Sequence, residues 1–140
     1  YEHYAKEIFE TAFRMQGSVK DAGLSIMGDP TFCFSFRSDD FDIYHVNDFM
    51  KTRGWRFNGQ QNPASIHMCV TRPQTQPGVA EAFEGDLQEA VVYANEHRSE
   101  KPLSSAIYGG GATGGLSLDS PEAIEQLMIF ALDTLQAYPF

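Results

Sequence analysis
The sequence predicts an α+β domain in which a small, mainly antiparallel sheet of three strands is covered by helices. Three observations carry this. The apolar period switches between helical and period-2 spacing in the order α-β-α-β-β-α-loop-α. Each strand-like run has one apolar face, which a sheet buried on one side needs. The connection before the third strand is too short for a parallel crossover. At 140 residues, 42% hydrophobic, the chain supports one core and one domain over residues 1–140.

From Tyr1 to Met15 apolar residues recur at helical spacing, and Gly17 stands where a left-handed cap would close the helix. A loop punctuated by Gly23, Gly28 and Pro30 leads to the first strand, Phe32–Phe36, whose alternation puts Phe32, Phe34 and Phe36 on one face. Ser38, Asp39 and Asp40 offer capping oxygens to a helix from about Phe41, which Gly54 ends. Trp55–Phe57 reads as the second strand and Ile66–Val70 as the third, with the Phe, Trp and Met side chains inward. Pro77 opens a helix that ends near Asn95 to Arg98; residues 101–118 read as loop, and Ser120 and Pro121 start a closing helix.

Ten Lys and Arg against 19 Asp and Glu give a net charge of −9, which argues against a phosphate-backbone binder. No apolar run reaches the ~18 to 20 residues of a membrane helix. The reading is a soluble piece with no membrane contact of its own. Cys33 and Cys69 lie inside apolar strand-like runs and read as two reduced core thiols, which fits a cytoplasmic compartment. The opening at Tyr1, already helical in pattern, reads as the start of a fragment.

Gly109-x-Gly111-x-x-Gly114 matches the dinucleotide fingerprint as a string but lacks the βα turn that makes it work. A glycine-rich surface or active-site loop explains it better. His3, His45, His67 and His97 have no second ligand at zinc-like spacing, so the spacing offers no metal site. Alternation places His67 on the face opposite Ile66, Met68 and Val70, where it reads as an exposed or hydrogen-bonded sheet histidine. Asp39, Asp40 and Asp42 are explained by capping rather than by a cation loop. Lys6, Lys20, Lys51 and Lys101 all stand in polar contexts that read as solvated. Residue patterns alone stop at an α/β module with a polar glycine loop.

The runs Asp40-Phe41-Asp42-Ile43-Tyr44, Gly54-Trp55, Gln61-x-Pro63-x-Ser65-Ile66-His67-x-Cys69-x-Thr71 and Ala106-Ile107-Tyr108-Gly109, in this order, resemble the sphingosine-1-phosphate lyases. The likeness extends from roughly Phe34 to Leu135. It implies the C-terminal small domain of a fold type I enzyme whose pyridoxal 5'-phosphate sits on a lysine of a large domain, in a His-Lys segment absent here. The fragment alone would then bind no cofactor and be inactive. The resemblance further implies a homodimer when full length, a phosphorylated amine as substrate, and cleavage of a phosphorylated sphingoid base to a long-chain aldehyde and phosphoethanolamine. Among the residues here it singles out Tyr108 as catalytic, a phenol able to hydrogen-bond a phosphate or assist proton transfer. After Gly109 the chain is more glycine-rich than the family pattern. Two other readings stay open: the same domain of an amino-acid decarboxylase, and a free-standing binding module. A membrane anchor in a preceding segment also stays open.

Overall fold
A computed structural model describes residues 1–108 together with Glu125, Met128, Ile129, Ala131 and Leu132. It is α+β as expected, with four strands rather than three. In chain order the elements are α1 (Glu2–Asp21), β1 (Ser25–Ile26), β2 (Cys33–Arg37), α2 (Tyr44–Thr52), β3 (Asn58–Gln60), β4 (Ser65–Cys69), a 3-10 turn (Arg72–Thr75), α3 (Val79–Glu96) and a short α4 (Ser105–Tyr108). The sheet order is β1-β2-β4-β3, and every pairing is antiparallel.

Period-2 alternation does what the sequence predicts in the central pair. Phe34 and Phe36 of β2 and Ile66 and Met68 of β4 are buried, and they share one core with Met15 and Val19 of α1, Val46 and Met50 of α2, and Phe83 and Leu87 of α3. Cys33, Ser35, His67 and Cys69 take the opposite face. Phe32, expected inward with its neighbours, precedes β2 and is 42% exposed, edge-on to Phe9 of α1.

Several boundaries move for identifiable reasons. Helix α1 runs through Gly17 to Asp21, because burying Gln16, Ser18 and Val19 outweighs the ~1 kcal/mol cost of an internal glycine. The left-handed residue is Gly23, φ +81°. Helix α2 begins at Tyr44, where Asp42 Oδ1 accepts the Tyr44 N–H at 3.0 Å; Ser38 Oγ instead receives the Asp40 and Phe41 N–H groups in the approach. Gly54, φ +89°, follows α2 as expected. Trp55–Phe57 is not a strand: Trp55 Nε1 donates to Asp86 Oδ2 of α3 at 2.8 Å and its ring meets Phe83 edge-on, so the segment is turned toward the helices. Pairing begins only at Asn58.

The cysteines are corrected too: Cys33 is half-buried and Cys69 exposed, both on the sheet's outer face rather than in the core. The stretch expected to be loop holds the helical turn α4. The Gly109–Gly115 run and most of the closing helix lie outside the described residues. Among the described residues no helix is long and apolar enough to cross a membrane.

Candidate functional site
Tyr108 is held at the β3 edge of the sheet by residues distant in sequence. Asp48, on the second turn of α2, accepts the Leu103 N–H at 2.6 Å and the Ser104 N–H at 3.0 Å, and its carboxylate also accepts a hydrogen bond from the Ser104 hydroxyl. Asn47 Nδ2 donates to Ser104 Oγ at 2.7 Å. His45 Nε2 lies 3.1 Å from the Glu100 carbonyl, which ties the start of the same segment to α2. The bonds to the Asp48 carboxylate are charge-assisted and therefore the stronger of these. From that mooring the Tyr108 N–H donates to the Ser104 carbonyl at 2.9 Å, closing the turn that carries the phenol.

The ring then rests on Gly59. A β-carbon built at position 59 falls 2.2 Å from Tyr108 Cγ and 2.4 Å from Cδ2, so only a glycine leaves room for the ring. Tyr44 flanks it with ring centroids 6.0 Å apart. The Tyr44 hydroxyl donates to the Gln60 carbonyl at 2.6 Å. Burial raises the Tyr44 pKa, helped by Asp42 and Tyr108, so Tyr44 stays a neutral donor that fixes β3 beneath the ring.

Tyr108 opens onto a cleft of about 480 Å3 that also takes in Asn47, Lys51, Arg56 and Asn58. Among the described residues neither Lys51 nor Arg56 has an acidic partner within salt-bridge distance, and the Tyr108 hydroxyl makes no hydrogen bond. Two cations and a phenol around one opening suit an anionic ligand such as a phosphate ester. All four lysines, Lys6, Lys20, Lys51 and Lys101, are exposed. None has the desolvated setting that activates a lysine toward a carbonyl, so these residues do not fit the covalent seat of a pyridoxal cofactor.

Asp48→Ala removes the mooring while leaving the cleft's cations in place. We expect it to destabilise the domain by about 1 to 3 kcal/mol, since two N–H groups and a hydroxyl lose a charged acceptor. Chemical denaturation checks this, and an unchanged midpoint would show that the 100–104 segment is held by other contacts.

A second cluster lies on the outer face. Cys33 Sγ is 2.7 Å from both Cys69 Sγ and His67 Nε2, and Cys69 Sγ is 3.6 Å from that nitrogen. The hydrogen bond with Cys69, reinforced by burial, pushes the Cys33 thiol up to about 11. Linear spacing does not show this trio, because the β2–β4 register assembles it: Cys33 pairs with Cys69 and Ser35 with His67.

Fold and cleft together define a small α+β domain that presents a moored tyrosine beside two cations at its sheet edge. No protein-family model matches the chain. It is 35% identical over 112 residues to sphingosine-1-phosphate lyase 1 of Rattus norvegicus, covering 78% of this chain and 20% of that protein. It is 39% identical over 112 residues to the sphingosine-1-phosphate lyase of Drosophila melanogaster, with 78% and 21% covered. Among solved structures, the sphingosine-1-phosphate lyase of Burkholderia pseudomallei K96243 superposes with a TM-score of 0.66 at 64% identity, over 67% of this chain and 22% of that one. Over the stretch these matches cover, the chain belongs to the sphingosine-1-phosphate lyase family. It spans about a fifth of the length of the relatives it matches.

Proposed function
We infer that this chain is the C-terminal small domain of a pyridoxal-phosphate-dependent carbon–carbon lyase, and that it contributes Tyr108 to the active site. The observation that carries the reading is the seat of Tyr108: a phenol whose hydroxyl has no hydrogen-bond partner among the described residues, moored through Asp48 and Ser104, stands on Gly59 at the mouth of a cleft holding Lys51 and Arg56. The parent enzyme cleaves a phosphorylated sphingoid base to a long-chain aldehyde and phosphoethanolamine. Its cofactor, held by a large domain outside this chain, supplies the electron sink. The parent is a homodimer acting in the cytoplasm.

In this reading the chain's own residues bind and orient. Lys51 and Arg56 draw the substrate phosphate to the cleft, and the Tyr108 hydroxyl donates a hydrogen bond to a phosphate oxygen or carries a proton at the reacting carbon. A rigid seat matters for either task, because orientation is itself a large part of the rate.

The test is the product of the intact enzyme given sphingosine 1-phosphate and, separately, aromatic and acidic amino acids. A fatty aldehyde and phosphoethanolamine in equal amounts from the first is the expected result. Carbon dioxide from an amino acid, without aldehyde release from the lipid, would replace the reading with a decarboxylase.

A further inference from the structure
The geometry points to a metal site that the lyase reading does not use: Cys33 Sγ, His67 Nε2 and Cys69 Sγ form a three-ligand site for a borderline-soft divalent cation of the zinc class. The three donor atoms lie within 4.8 Å of one another. Two sulfurs and an imidazole nitrogen are the donor set that selects zinc over magnesium or calcium, whose ligands are oxygens.

The scaffold is preformed. The Val70 N–H donates to the Phe32 carbonyl at 2.8 Å, which makes 32/70 a hydrogen-bonded pair. The next pair along, Cys33/Cys69, is then non-hydrogen-bonded, the arrangement in which facing side chains come closest. His67 lies one such pair further on, diagonal to Cys33 on the same face. All three ligands therefore belong to the central strand pair, whose other face is locked into the core by Phe34, Phe36, Ile66 and Met68.

Tetrahedral coordination with Zn–S of about 2.3 Å and Zn–N of about 2.0 Å sets donor atoms roughly 3.5 to 3.8 Å apart. The Cys69–His67 pair is already at 3.6 Å, and the Cys33 sulfur, 2.7 Å from each, has to swing out by about 1 Å. Its side chain is only half-buried, so that rotation meets no packed core. Cys69 is exposed, which leaves the fourth position open to water or to a ligand from outside the site. The site faces away from Tyr108: Gly59, under the phenol, pairs with inward-facing Ile66, whereas the trio occupies the opposite face.

The experiment is a cobalt(II) titration of the fully reduced, metal-stripped protein without oxygen, followed by displacement with zinc(II). The expected result is one cobalt per chain, with a thiolate-to-cobalt charge-transfer band that zinc abolishes. Cys33→Ser and Cys69→Ser lose the band, and His67→Asn weakens binding by more than about tenfold. Zinc raises the melting temperature of the wild type but not of Cys33→Ser, since binding to the folded state alone stabilises it. A folded, fully reduced wild type that gives no charge-transfer band would overturn the proposal. So would a band that survives in both serine variants.

Discussion

Gly59→Ala is expected to lower kcat/KM of the intact enzyme about a hundredfold. The backbone at position 59 lies outside the left-handed region, so alanine meets no conformational strain there. Its whole effect comes from one methyl group placed 2.2 Å from Tyr108 Cγ, well inside ordinary van der Waals contact. The ring cannot keep its seat, because α4 is bound to Asp48 through Ser104 and the ring must give way by at least about 1 Å. A displacement of that size at a positioning group costs on the order of 10²-fold in rate. Gly85→Ala is the matched control: a β-carbon there, in the interior of α3, meets nothing within 4 Å. It should stabilise the domain by about 0.5 to 1 kcal/mol with kcat/KM unchanged. Wild-type kcat/KM in Gly59→Ala would mean that the phenol does not act from the seat described.

Phe34→Ala is expected to cost about 3 to 5 kcal/mol of unfolding free energy. Phe34 is 1% exposed, lies in the central strand β2, and stands beside Phe36 with ring centroids 6.1 Å apart. Its neighbours are fixed by the β2–β4 ladder on one side and by helices on the other, so the cavity left by the ring has little freedom to collapse. Phe32→Ala, at an exposed ring outside the strand, should cost less than about 1 kcal/mol by comparison. Denaturant titrations of both variants check the pair. A loss below about 1 kcal/mol for Phe34 would mean that the strand or its inward face is wrongly assigned.

The contrast between these residues shows where the sequence is legible. Strong alternation in Phe32–Phe36 and Ile66–Val70 is enough to find the central strands and their buried face, because burial on one side writes itself into period 2. β1 leaves no such trace, being two residues long. The aromatic bulk of Trp55 and Phe57 draws the expected strand three residues ahead of β3. The strand itself, Asn58-Gly59-Gln60, has poor strand propensity and is set by pairing with β4. Gly17 misled in the other direction, since buried contacts beyond it carry the helix on.

The candidate site was legible only in part. Tyr108 stood out through a family resemblance and not through any pattern of its own. Its supports, Gly59 and Asp48, are about half the described chain away and meet it only after folding. The same holds for Cys33, His67 and Cys69, whose convergence is a property of strand register and not of linear spacing.

Whether the Tyr108 hydroxyl acts on the substrate is tested most directly by Tyr108→Phe in the intact enzyme. The variant keeps the ring on Gly59 and beside Tyr44, and removes one hydrogen bond to a charged group, worth about 1.5 to 3 kcal/mol. The expected result is a fall in kcat/KM of roughly ten- to a hundredfold with an almost unchanged melting temperature. Wild-type kcat/KM in this variant would contradict it, and a large drop in melting temperature would make Tyr108 a packing residue.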